Sequence, residues 1–142
     1  MKIGRMDIKS IQSINLFERI TGIKASSCFE YGGSLVFIVK ERDVSKSIGK
    51  AGMNIRRMEN TFNKKIKVVS MPEDINDLER FLMSIIFPVK FKKIVLDEDN
   101  TRLTIMAGTQ SKASLIGRDK IKLNLLKDIL KEYFGLQKLR II

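Results

Sequence analysis

The chain has no histidine and a single cysteine, Cys28. Without histidine, Ser-His-Asp and Cys-His arrangements, zincin motifs and the usual proton shuttle at neutral pH are all closed. One cysteine forms neither an internal disulfide nor a cysteine-based zinc cluster, so Cys28, beside Phe29, reads as a small buried or half-buried apolar residue. Long apolar runs are missing as well. The stretch Leu82-Met83-Ser84-Ile85-Ile86-Phe87 is far too short to cross a bilayer. The first eight residues carry no uninterrupted apolar segment and no small-residue cleavage site, so no signal peptide is expected and the default location is cytoplasmic. Neither an amphipathic helix with aromatic anchors nor a lipidation site is visible, and no membrane partner is expected.

What is present is positive charge on a globular composition. Twenty-seven Lys and Arg face sixteen Asp and Glu, a formal charge of +11 on 142 residues. Such an excess suits a polyanion, nucleic acid first. With 44% hydrophobic residues the chain can bury a core.

The sequence repeats one pattern. Ile8, Ile11, Ile14 and Phe17 have the spacing of an amphipathic helix, and Ile75, Leu78 and Phe81, with Leu82 and Ile85, repeat it. Ser70 and Glu73 resemble a capping box for the second of these helices, with Pro72 in its first turn. A hairpin follows each: 23–31 turns at Gly32-Gly33 into 35–39, and 94–96 turns at 97–100 into 103–107. Next come a short helix from Asp43 to Ile48, the loop Gly49-Lys50-Ala51-Gly52, and a longer helix with Ile55, Met58 and Phe62. Shifted by sixty-eight, the counterparts are Ile116, Gly117, Leu123, Leu126 and Leu130. Strands at 66–69 and 139–142 close the two halves. The expected fold is α+β: two units, 1–70 and 71–142, each helix-strand-strand-helix-loop-helix-strand, with a three-stranded sheet covered by helices. Units of this size are marginal alone, so the two are expected to pack together as a monomer.

A glycine loop opening a helix suits phosphate, because a helix start offers backbone N–H groups and partial positive charge. Glycines at both ends let a sugar-phosphate chain approach, and Lys50 adds charge at the tip. Lys46, Arg56 and Arg57 flank the loop. Ile48 and Ile55 offer an aliphatic strip to unstacked bases, which single-stranded RNA supplies. The expected RNA-binding set is Lys46, Ile48, Gly49, Lys50, Ala51, Gly52, Met53, Asn54, Ile55, Arg56 and Arg57. The second loop, Gly117-Arg118-Asp119-Lys120, lacks the closing glycine and carries Asp119. A weaker contact through Gly117, Arg118 and Lys120 is expected there. Lys64, Lys65 and Lys67, and Lys90, Lys92 and Lys93, read as solvated strand starts. Phe17, Phe29, Phe37, Phe62 and Phe81 have core spacing and form no stacking platform.

Helix-hairpin-helix-GxxG-helix-strand in tandem resembles the type II KH arrangement. The segment Val44-Ser45-Lys46-Ser47-Ile48-Gly49-Lys50-Ala51-Gly52-Met53-Asn54-Ile55-Arg56 is close to the first KH unit of the transcription factor NusA, and the length matches the short archaeal NusA-like proteins. That resemblance implies single-stranded RNA binding in transcription elongation, termination or antitermination, with both units acting as one rigid surface and RNA polymerase as a further partner. The alternative is a KH protein of ribosome assembly or translation, with ribosomal partners and rRNA. An enzyme is not expected: the loop is no P-loop, and Asp97, Glu98 and Asp99 fall in a turn instead of a metal cluster. No cofactor or metal is expected. Duplex DNA is the remaining class of target.

Overall fold

The computed structural model describes residues 8–142 and divides them into two compact units, one ending at Met71 and one running from Pro72 to Ile142. The opening segment read for a leader lies outside the described residues, Ile8 excepted.

The first unit runs α1 (Ile8–Thr21), β1 (Ser27–Tyr31), β2 (Ser34–Val39), α2 (Val44–Ile48), α3 (Met53–Phe62) and β3 (Lys65–Ser70). Its sheet has the order β1-β2-β3. β2 is central, antiparallel to β1 and parallel to β3, with Phe37 opposite Cys28 and Val68. Gly32 and Gly33 turn the hairpin with φ of 58° and 83°, the pair of positive values that a two-residue turn matching strand twist demands. The core joins Ile14 and Phe17 of α1 to Leu35, Phe37 and Val39 of β2 and Met58 of α3. Phe37 stacks on Phe17 at 4.4 Å between ring centroids and tilts against Phe62 at 5.8 Å.

The second unit repeats the order: α4 (Leu78–Ile86), β4 (Lys93–Leu96), β5 (Arg102–Met106), α5 (Thr109–Ile116), α6 (Ile121–Phe134) and β6 (Lys138–Ile141). Its sheet is β4-β5-β6, antiparallel then parallel. Phe81 packs against Tyr133 and Phe134 of α6. Gly135 ends α6 in the left-handed conformation, closing the helix with bonds back to Leu130 and Lys131. The architecture is two tandem KH-like units. Among the described residues no helix is long and apolar enough to cross a membrane.

Two local expectations fail. Ser70 does not cap α4: it is the last residue of β3, paired with Val39, and the sheet claims it. Asp74 does the capping instead, accepting from the Asn76 N–H at 2.9 Å ahead of a 3₁₀ turn at Ile75–Asp77. In α1 the apolar stripe reaches the core only from Ile14 onward, since Ile8 is 76% and Ile11 44% exposed.

Asp97 fixes the second hairpin turn. Its Oδ1 accepts the backbone N–H groups of Thr101 and Arg102, and its Oδ2 accepts the Thr101 hydroxyl. Those backbone bonds, first from Arg102 and then from Thr101, hold the carboxyl below its ordinary value of 3.8. A carboxyl depressed in the fold stabilises it fully above its unfolded value and loses that contribution as pH falls through the folded value. The gap in melting temperature between the native chain and Asp97→Asn should therefore stay level down to about pH 4 and shrink below it. Phe37→Ala should cost about 3–5 kcal/mol in chemical denaturation, the penalty for a buried aromatic cut to a methyl.

Candidate nucleic-acid interface

The connection between α2 and α3 reverses direction within four residues. Gly49 takes φ 82° and ψ 165°, a conformation open essentially to glycine alone. Ala51 and Gly52 follow with φ of 53° and 72°. The bend is held from inside. The amides of Gly49, Gly52 and Met53 donate to the carbonyls of Ser45, Gly49 and Lys50. These three N–H groups serve the turn, so the expectation that the helix start would leave its amides for phosphate holds for fewer of them than the sequence suggested.

Two side chains brace the same bend. Asn54 Nδ2 donates to the Lys46 carbonyl at 3.1 Å, tying the first turn of α3 to α2. Its side chain fills the space where a Cβ on Gly49 would stand, 2.9 Å from the amide carbon, which is a second reason for glycine there. Arg56 Nη1 donates to the Ala51 carbonyl at 2.7 Å, folding a guanidinium over the loop tip. Lys50 and Ala51 are exposed, and Gly49 and Gly52 half-buried. From Val44 to Met58 there are four cations, Lys46, Lys50, Arg56 and Arg57, and no carboxylate.

The expected residues separate into groups. Gly49 to Gly52 form the loop, with Asn54 and Arg56 bound to it. Lys46 is exposed but lays its side chain toward Gly22 at the end of α1, its Nζ 3.9 Å from a Cβ built there. Arg57 points outward from α3. Ile48 and Ile55 are half-buried, whereas Met53, directly after the loop, is 52% exposed and presents more apolar surface than either.

The second loop keeps the turn despite its substitutions. Gly117, Asp119 and Lys120 have φ of 72°, 55° and 62°, each within about ten degrees of the residue it replaces. The internal bonds recur: Gly117, Lys120 and Ile121 donate to Ala113, Gly117 and Arg118. Loss of the closing glycine therefore adds a lysine side chain without changing the backbone path. The braces differ. Lys122 stands where Asn54 does and Asn124 where Arg56 does. Positions 117–122 carry three cations and one carboxylate, against one cation in 49–54. Ile121, 57% exposed, repeats Met53. Ile121 and Lys122 escaped the sequence reading, although the sixty-eight-residue offset points to both.

Left-handed backbone costs a non-glycine residue about 1–2 kcal/mol, and glycine's extra freedom when unfolded returns about 0.5–1 kcal/mol of that. Lys120→Gly should accordingly raise stability by about 0.5–1 kcal/mol in denaturant titration. Gly49→Ala should lower it by about 1–3 kcal/mol, because the new methyl meets Asn54 in a conformation alanine avoids.

No family model matches the chain. Three archaeal proteins, each named probable transcription termination protein NusA, align over nearly all of it. Those of Methanococcus vannielii and Methanocaldococcus jannaschii are 24% and 26% identical over 97% of this chain, covering 79% and 75% of their own lengths. The Thermoplasma acidophilum protein is 25% identical over 96% of this chain and 94% of its own. Among solved structures, that of APE1850 overlays 96% of this chain and all of its own with a TM-score of 0.62 at 28% identity. The similarity to these archaeal proteins runs through both units of the chain.

Proposed function

We propose that the chain binds single-stranded RNA through the loop Gly49–Gly52 and does so as a transcription factor of the termination and elongation type. The observation that carries this reading is an exposed, braced bend flanked by four cations with no carboxylate between Val44 and Met58. Gly49 and Gly52 bring no side chain of their own against a sugar-phosphate backbone, and the groups beside them are the Asn54 amide and the Arg56 guanidinium. Lys50 then reaches a phosphate from the tip, and the Arg56 guanidinium, already fixed by the Ala51 carbonyl, offers its remaining N–H groups beside it. Met53, with the half-buried Ile48 and Ile55, supplies apolar contact for a splayed base; a duplex would keep its bases stacked and out of reach. The second loop adds a lesser grip through Gly117, Arg118 and Lys120, since Asp119 repels what its neighbours attract.

The role in transcription is supported by the name shared by the archaeal relatives. Contact with RNA polymerase belongs to the same proposal. No catalytic step is assigned to the chain, whose task on this reading is to hold RNA.

The test is Lys50→Asp with Ala51→Asp. Aspartate already occupies the matching position of the second loop, Asp119 at φ 55°, so the fold accommodates it at 51. RNA affinity should collapse while the melting curve stays put, and unchanged affinity would remove the loop from the mechanism. For the native chain, log affinity against log salt should have a slope of about −2 to −3, as for three or four phosphates on a single strand. Sequencing RNA crosslinked in cells separates transcription from ribosome assembly: nascent transcripts support the first, rRNA alone the second.

A further inference from the structure

The two sheets turn opposite chemistry to the side away from their helices. Strand alternation and register define that face in each unit. In the first it carries Phe29, Val36 and Ile38, all buried. In the second, Val95 replaces Phe29, Thr104 replaces Val36 and Met106 replaces Ile38, and every residue of the face is exposed or half-exposed. Around this mildly apolar centre stand Lys93 on β4, Arg102 on β5, and Lys138 and Arg140 on β6, all exposed. Lys138 lies opposite Arg102 and Arg140 opposite Thr104, so three of the four cations sit on neighbouring register positions. Adjacent strands are about 4.8 Å apart and same-face residues about 6.8 Å, so these three charges lie within one patch. The strands bring no carboxylate to the face. Asp97 lies at the turn between β4 and β5, where the charge of Arg102 acts on it.

We infer that this outer face of the second sheet is a further RNA-binding surface, which takes the phosphate backbone of a strand longer than the loops can hold. The inference rests on RNA being the partner at Gly49–Gly52. Four cations bordering Val95, Thr104 and Met106 complement a polyanion with apolar bases, whereas a protein partner would need acidic residues to match each of them. A flat β-surface of this kind has room for backbone contacts and no pocket to read a base, so the contact is insensitive to sequence and sensitive to salt.

The experiment uses the whole chain with two single-stranded RNAs, one of about four nucleotides, the span of a glycine loop, and one several times longer. Lys93→Gln, Lys138→Gln and Arg140→Gln together remove three charges from the face. A control with Lys112→Gln, Lys127→Gln and Lys131→Gln removes three from the helices. The face variant should bind the short RNA like the native chain, bind the long RNA at least about tenfold more weakly, and show a salt slope smaller by about 2. The control should bind both RNAs normally. Photocrosslinking of the native chain to the long RNA should label 93–106 and 138–141, which checks the surface without any substitution. Equal loss in control and face variants, or undiminished binding of long RNA by the face variant, overturns the inference while leaving the loop's role intact. A dimer in sedimentation that the face variant abolishes would assign the surface to a second copy and overturn it too. Failure of the native chain to bind either RNA would sink the loop reading itself.

Discussion

Backbone hydrogen bonds within the bend set the geometry of the first loop, and a single side-chain amide braces it. Asn54 reaches from the first turn of α3 to the Lys46 carbonyl in α2 and occupies the space over Gly49. That contact leaves no room for a Cβ at 49, where the backbone angles already demand glycine, and ties α3 to α2 behind the exposed Lys50 and Ala51. Arg56 completes the lock from the other side by binding the Ala51 carbonyl. A loop tied down in this way arrives at its ligand already ordered, which saves the entropy a mobile loop would lose on binding. The same bond makes Arg56 both a brace and a charge, so its loss would loosen the loop as well as weaken the field around it.

The second unit keeps the bend while changing what surrounds it. Its backbone angles follow the first loop closely, but Lys122 replaces the asparagine, putting a charge on a long flexible stem in place of a short planar amide. Charge moves outward, into Lys120, Lys122 and the exterior of the sheet. The duplicated scaffold thus carries one carboxylate-free loop braced by Asn54 and Arg56, and one more basic loop with Asp119 at its tip beside a basic strand face.

Much of this was legible in the sequence because both periodicities are strong. The all-apolar run Leu35-Val36-Phe37-Ile38-Val39 reads as the second strand of a hairpin, and it is one, with every residue buried. The glycine loop was legible because it recurs at a fixed offset between helical stripes. The Ser70–Glu73 cap misled because a local side-chain pattern cannot reveal that β3 extends through Ser70. Ile8 and Ile11 have helical spacing, yet spacing alone does not say how far along a helix its partners reach. At position 120 the missing closing glycine points to a weaker contact but does not say whether the turn survives; internal hydrogen bonds hold lysine in the left-handed region, and it does. The braces from Asn54 and Arg56 depend on a three-dimensional reversal that no short-range pattern encodes. The basic outer face was hidden for a similar reason: Lys93, Arg102, Lys138 and Arg140 are scattered along the chain and meet only through strand register.

The central claim is that RNA is gripped at the bend around Lys50, and amide chemical shifts of the native chain titrated with single-stranded RNA test it most directly. The account predicts that shifts from Gly49 through Arg57 move first and furthest, with Asn54 and Arg56 side-chain signals changing alongside them. Saturable RNA binding that leaves those signals in place would contradict it.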